Sequence, residues 1–169
     1  LFNAKAKLWV NGKKNIFQKI EEVTKGEQNI VWFHCASLGE FEQGKPIIEG
    51  YKQKYPSHKI LLTFFSPSGF EIRKNYEGVD WVFYLPADTK SNAKKFISIV
   101  KPIKVIFIKY EFWFNYMAEL KKQNISFYSV SAIFRDGQAF FKYNWFANQL
   151  KNITHFFVQD KTSADLLKS

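Results

Sequence analysis

From residue 29 onward the chain alternates short, β-branched and aromatic apolar runs with longer amphipathic stretches. Few arrangements accommodate that alternation other than βα units laid on a parallel sheet. The strand candidates are Asn29–Cys35, Lys59–Phe65, Asp80–Tyr84, Lys104–Ile108, Ser126–Ser131 and His155–Val158. Between them, Phe41–Tyr55 carries Ile47, Ile48 and Tyr51 at helical spacing and stops at Pro56, and Ser91–Val100 carries Phe96, Ile97 and Val100 and stops before Pro102. Ser68–Tyr76, Phe112–Gln123 and Gln138–Leu150 supply the remaining crossovers. The expected fold is therefore α/β: a Rossmann-like parallel sheet with helices on both faces.

Two regions bound this pattern. Residues 1–28 form a basic, amphipathic flank, with an apolar-basic stretch at Leu1–Val10, a basic turn at Gly12-Lys13-Lys14 and a short amphipathic helix at Ile16–Val23, packed on the sheet or facing a membrane. At the other end, Thr162-Ser163-Ala164-Asp165-Leu166-Leu167 opens a helical pattern with a start signal. The chain has no initial Met, and both ends read as cuts through a longer protein. At 169 residues and 46% hydrophobic, it has the material for one domain with a core, assigned to residues 29–169.

Charge and composition narrow the partners without choosing one. The balance of 25 Lys+Arg against 15 Asp+Glu gives +10, which favours an acidic partner such as nucleic acid, phospholipid or a phosphorylated substrate. Cys35, the one cysteine, allows no internal disulfide and reads as a small buried apolar residue. His34, His58 and His155 lack metal-ligand spacing, so no metal site is expected. No apolar run reaches bilayer-spanning length. The aromatic stretch of Phe140, Phe141, Tyr143, Trp145 and Phe146 with Lys142 suits either a lipid interface or the core face of a helix.

In an open parallel sheet, ligands bind beyond the carboxyl ends of the strands, where loops converge and helix N-termini offer unpaired N–H groups. That rim holds Ser37-Leu38-Gly39-Glu40, Ser66-Pro67-Ser68-Gly69, Pro86-Ala87-Asp88, Lys109-Tyr110-Glu111 and the Ser131–Arg135 loop. A carboxylate in the first turn of a helix suits a general base, and Gly39 lets a ligand approach the backbone. The same residues spell an S-x-x-E capping box, in which Glu40 merely folds back on the Ser37 amide. The two roles compete for one carboxylate. Ser66, Ser68 and Gly69 form either a cradle for a hydroxyl or phosphate or an ordinary serine-capped turn. Lys109 and Glu111 flank Tyr110, so strand alternation turns both to one side, as a salt bridge or as ligand contacts. Arg135 either grips an anion or pairs with Asp136. The dinucleotide fingerprint and the P-loop are absent, and no serine or cysteine triad can be assembled.

Taken in order and spacing, Trp32-Phe33-His34-Cys35-Ala36-Ser37-Leu38-Gly39-Glu40, Ser66-Pro67-Ser68-Gly69, Tyr84-Leu85-Pro86-Ala87-Asp88 and Lys109-Tyr110-Glu111-Phe112-Trp113 resemble the 3-deoxy-D-manno-octulosonic acid (Kdo) transferases. The opening Leu1–Leu8 and Gly12-Lys13-Lys14 look like the segment after that family's membrane anchor. The resemblance implies the N-terminal, acceptor-binding domain of a GT-B type glycosyltransferase, with the C-terminal donor domain outside this chain. It implies transfer of Kdo from CMP-Kdo, with inversion, to the lipid A precursor (lipid IVA) in lipopolysaccharide biosynthesis, at the cytoplasmic face of the bacterial inner membrane. It also implies no cofactor and no metal, CMP-Kdo being the donor substrate, and no nucleic-acid partner. Glu40 is then the base, and Ser37, Gly39, Ser66, Ser68, Gly69, Lys109, Glu111 and Arg135 are acceptor-binding. The half alone is expected to be inactive. Many members read Glu-Thr-Glu-Leu-Trp-Pro-Asn where this chain reads Lys109-Tyr110-Glu111-Phe112-Trp113-Phe114-Asn115, so position 109 reverses its charge. Two rival readings stand beside this one: another GT-B sugar-nucleotide transferase, or a non-catalytic basic module for anionic membrane or nucleic acid.

Overall fold

The computed structural model describes residues 2–109, 111–138 and 144–168. Strand β1 (Ile30–Cys35) is buried along its whole length. A strand achieves this only when both faces of its sheet are covered, which is why its sequence is an unbroken apolar run. It pairs in parallel with β2 (Lys59–Phe64) on one side and β4 (Lys104–Ile108) on the other. Beyond β2 lies β3 (Trp81–Tyr84), and beyond β4 lie β5 (Ser126–Ala132) and β6 (His155–Val158), all parallel to their neighbours. Among the described residues the sheet order is thus β3-β2-β1-β4-β5-β6, the Rossmann-like order, which reverses between β1 and β4.

The strand pleat sorts side chains into two cores. Ile30, Trp32, Leu61, Val105, Phe107 and Phe127 point to one face. They meet α2 (Ile16–Thr24), α5 (Lys90–Val100) and α6 (Phe114–Lys122) through Ile20, Phe96, Ile97, Met117 and Leu120. Val31, Phe33, Cys35, Leu62, Phe64, Ile106 and Ile108 point to the other. There they meet α3 (Leu38–Lys54) through Phe41 and Ile48, and α4 (Pro67–Arg73) through Phe70. Gly44 lets α3 lie close on the sheet: a Cβ at that position would sit 2.7 Å from the Ile108 side chain. The flank is continuous with this body, since α2 gives Ile16 and Ile20 to the first core.

Several expectations shift at their edges. Helix α3 begins at Leu38, three residues before the expected Phe41, and runs through Pro46. Gly39 and Glu40 therefore belong to its first turn. Gly12 closes a helix, α1 (Phe2–Gly12), rather than opening the basic turn. Strand β5 runs one residue past Ser131, and its register with β6 shifts between Val130 and Ala132 around Ser131, which has a left-handed φ of 61°. Of the expected crossover Gln138–Leu150, the described residues are Gln138, outside any helix, and α7 (Asn144–Leu150). Phe140, Phe141, Lys142 and Tyr143 lie outside the described residues, as does Tyr110. Trp145 is exposed, yet its ring packs edge-on against Phe114 at 5.0 Å. Helix α8 (Lys161–Lys168) closes the described chain, starting where the Thr/Ser signal lies.

A buried polar knot ties β1 to β2. The Trp32 indole N–H donates to Thr63 Oγ1 at 2.7 Å, and His34 Nδ1 shares a 2.9 Å hydrogen bond with the same oxygen. Burial pushes the His34 imidazole down to about 3, so it is neutral at ordinary pH. The Trp32 ring is meanwhile enclosed by Phe96, Phe107 and Tyr116, with centroids 4.7, 5.0 and 5.5 Å away. Thr63→Val keeps the side-chain shape and strips both partners of their oxygen. The expected cost is about 1–3 kcal/mol for the orphaned donors, read as a lower midpoint in urea unfolding. An unchanged midpoint would mean that the knot contributes nothing to stability.

Candidate active site

The strand order reverses between β1 and β4, and open parallel sheets bind ligands outside the carboxyl ends of the strands at such a reversal. The Ser37–Glu40 turn leaves β1 and the Lys109–Glu111 segment leaves β4, so both reach the same rim. Ser37 has the extended backbone of an N-cap, and its N–H donates to Glu40 Oε2 at 2.7 Å. Its hydroxyl donates to the same oxygen at 3.2 Å. Glu40 does fold back as a capping residue, but one oxygen serves both bonds. The capping reading is the one the geometry shows; among the described residues no donor reaches Oε1. Gly39 is exposed, and a Cβ there would meet nothing within 4 Å. Packing does not demand glycine at this position; open space lies over it.

Glu111 is electrically tied to Glu40. Burial, first, and the Glu40 charge, second, push the Glu111 carboxyl up to about 7, against smaller opposing effects of Lys109 and Trp113. The Trp113 indole N–H lies near enough to favour the Glu111 carboxylate, yet among the described residues it is not in hydrogen-bonding geometry with an acceptor. No Lys109–Glu111 ion pair forms within 4 Å among the described residues. The reason is backbone: Lys109 has a φ of 65°, which ends the strand alternation that would have turned both charges to one side. Strand β5 clamps that conformation. The Lys109 N–H donates to the Val130 carbonyl, and the Ser129 hydroxyl donates to the Lys109 carbonyl, each at 2.7 Å. Two non-glycine residues in the left-handed region, Lys109 and Ser131, thus sit side by side at the ends of β4 and β5. With Arg135 they line a small cavity of about 170 Å³.

The remaining candidates are distributed around this rim. Ser66 caps α4, its Oγ accepting from the Ser68 N–H at 3.2 Å and lying 3.0 Å from the Ser68 hydroxyl. The Ser66 N–H donates to the Ala36 carbonyl at 2.7 Å, which fastens this turn to the one bearing Glu40. Gly69 is buried, and a Cβ there would strike the Phe64 ring, so its smallness is needed for helix–sheet packing. Arg135 is exposed and makes no ion pair with Asp136, whose carboxylate instead accepts from the Gly137 N–H at 2.9 Å. Asp88 belongs to the scaffold, accepting from the Asn115 and Tyr116 N–H groups at the start of α6, both at 3.2 Å. Cys35 is buried, its thiol pushed up by burial and then by the Glu40 charge, as expected of an unreactive core residue. Sequence reasoning passed over Trp9 and Lys13: the Trp9 N–H donates to the Phe65 carbonyl at 3.0 Å, and Lys13 Nζ lies 3.6 Å from the Trp9 ring centroid. Their only signal was the basic turn at Gly12–Lys14. Among the described residues, no helix is long and apolar enough to cross a membrane.

Residues 12–169 match the family model described as 3-deoxy-D-manno-octulosonic-acid transferase (kdotransferase). The chain is 36% identical over 101 residues to the 3-deoxy-D-manno-octulosonic acid transferase of Aquifex aeolicus, covering 59% of this chain and 27% of that protein. It is 31% identical over 103 residues to the enzyme of the same description from Haemophilus influenzae, covering 60% and 24%. A probable mitochondrial 3-deoxy-D-manno-octulosonic acid transferase of Arabidopsis thaliana is 32% identical over 88 residues, covering 52% and 20%. The chain thus spans about a quarter of the length of these relatives. Among solved structures, a putative UDP-N-acetylglucosamine 2-epimerase from Listeria monocytogenes superposes with a TM-score of 0.60 at 12% identity, over 84% of this chain and 42% of that one. That likeness concerns the fold alone.

The Glu40–Glu111 coupling yields a titration with a definite sign. Glu111 is raised from 4.5 to about 7 in the folded chain, so between those values the folded state holds a proton that the unfolded state releases. Stability through this group is therefore lost as pH rises from about 4.5 to about 7, and Glu111→Gln abolishes that loss. Carboxyl-carbon NMR on the full-length protein should place the Glu111 midpoint near neutrality, lower in Glu40→Gln and higher in Lys109→Gln. A midpoint indifferent to Glu40→Gln would break the coupling.

Proposed function

Because this chain belongs to the 3-deoxy-D-manno-octulosonic acid transferase family, we propose that it is the acceptor-binding half of a GT-B type glycosyltransferase that moves Kdo from CMP-Kdo to the lipid A precursor, with inversion. The observation that carries this reading is the position of Glu40 at the β1/β4 reversal, with one carboxylate oxygen held by Ser37 and the other without a donor among the described residues. A base that is fixed through one oxygen keeps its second oxygen in a defined direction, which is what proton abstraction from a bound hydroxyl requires. As the new sugar–oxygen bond forms on the face opposite the departing CMP, Oε1 takes the acceptor hydroxyl proton and CMP leaves with the electron pair of the broken bond.

The neighbouring groups have complementary roles in this proposal. Glu111, raised to about 7, carries a proton part of the time and can donate to an acceptor oxygen while Glu40 accepts. Ser37, Gly39, Ser66 and Ser68 shape the acceptor side of the rim, Gly69 seats the turn that carries the serines against Phe64, and Lys109 and Arg135 offer positive charge across the rim. The donor would be bound mainly by residues beyond this chain, so the half alone would not turn over. Helix α1 exposes Leu8 and Val10 beside the exposed Lys7 and Lys14. Apolar and cationic side chains together suit an anionic bilayer surface, in keeping with work on a lipid acceptor at the cytoplasmic face of the inner membrane.

Full-length protein, CMP-Kdo and lipid A precursor provide the test, with the sugars added counted by mass. Glu40→Gln should lower kcat by about 10²–10⁴, with the fold intact by circular dichroism. Transfer at the parental rate in Glu40→Gln would refute the base assignment, and no transfer by the parent would refute the reaction.

A further inference from the structure

A groove of about 490 Å³ lies between the α1–α2 corner and the loop that follows β3. Its wall includes Trp9, Lys13, Phe17, Asn92 and Lys95, and among the described residues no carboxylate lines it. We propose that this groove is a phosphate subsite, which takes the phosphomonoester of a phosphorylated sugar. The identity of the sugar-bearing ligand rests on the acceptor reading above; the anion site rests on the groove itself.

Three independent features converge on an anion. First, Lys13 Nζ is buried and has no hydrogen-bond partner among the described residues; it rests on the Trp9 ring at 3.6 Å and near the Phe65 ring at 4.9 Å from the centroids. A desolvated ammonium with only aromatic faces for company is costly to keep charged, and burial lowers it to about 8. An arriving phosphate would restore the missing hydrogen bonds and the charge. Second, Lys95 is held over the Phe17 ring at 4.9 Å, so a second ammonium borders the same space. Third, α2 starts at this groove without a side-chain cap, because Asn15 is left-handed (φ 56°) and makes no cap bond. The first-turn residues Phe17 and Gln18 line the groove, where unpaired N–H groups favour negative charge.

The neutral part of the ligand follows from the rest of the wall. One Asn92 amide N–H donates to the Ala87 carbonyl at 3.0 Å, which orients the amide and leaves its oxygen to accept from a hydroxyl. The volume admits one sugar ring with its phosphate. Apolar surface from Trp9, Phe17 and Pro86 flanks the polar groups, as in sites that recognise a ring by one face.

The test is direct binding, measured by calorimetry on the full-length protein with glucosamine 1-phosphate, glucosamine and phosphatidic acid vesicles as separate probes. Glucosamine 1-phosphate should bind and raise the Lys13 titration midpoint, followed by NMR of ε-labelled lysine, whereas glucosamine should do neither. Lys13→Gln and Lys95→Gln should each weaken binding about tenfold or more. Lys95 is exposed, so Lys95→Glu leaves the core untouched and keeps the test decisive if Lys13→Gln fails to fold. Parental affinity in Lys95→Glu, or equal affinity for glucosamine, would overturn the proposal. Binding to phosphatidic acid vesicles without binding to glucosamine 1-phosphate would overturn it too, by giving the groove to membrane headgroups. Since no transfer is measured, phosphate binding in a protein that transfers no Kdo would retain the groove and refute only the reaction.

Discussion

Enclosure of β1 is the constraint on which the rest of this structure depends. A strand with β2 and β4 on its two edges and helices on both its faces has no water to satisfy it, so its polar groups depend on protein partners. The backbone finds them in the parallel ladders, and Trp32 Nε1 and His34 Nδ1 find theirs in Thr63, while His34 Nε2 has no hydrogen-bond partner among the described residues. With β1 fixed, the direction reversal beside β4 is fixed too, and the Ser37–Glu40 turn after β1 and Lys109 after β4 lie at one carboxyl rim.

Burial then sets the chemistry at the sheet's carboxyl rim. Glu111 is raised because the same apolar packing that holds its loop also desolvates it, with the Glu40 charge adding to the effect. Lys13 is lowered for the converse reason, a cation laid on aromatic rings with no carboxylate beside it. An acid raised and an amine lowered, both by burial, are thus brought toward neutrality in the same fold. The strained backbones of Lys109 and Ser131 add to this picture, since β5 must hold Lys109 by two 2.7 Å bonds to keep it in the left-handed region.

Much of the fold was legible from pattern. The six strand candidates correspond to the six strands within one or two residues at their ends, because continuous apolar runs of that length can be satisfied only inside a covered parallel sheet. The site was legible in part. Ser37 and Glu40 were visible as a capping box or a base, and the geometry shows that the cap engages a single carboxylate oxygen. Of the two readings open for Lys109 and Glu111, salt bridge or ligand contacts, the salt bridge does not form among the described residues, and the left-handed Lys109 interrupts the alternation on which both readings rested. Gly69 reads identically to Gly39 in sequence, yet one packs on Phe64 and the other faces open space.

The sequence by itself determined the parallel α/β class, the positions of the loops that follow each strand, and the family to which their motifs belong, since these depend on local periodicity and on residues adjacent in the chain. Only the tertiary structure decided which of those loops meet, that Glu40 and Glu111 share a field, and that Lys13 loses its water between Trp9 and Phe65. The reason is physical: desolvation and charge coupling act across space between residues tens of positions apart, and one-dimensional order carries neither distance nor dielectric.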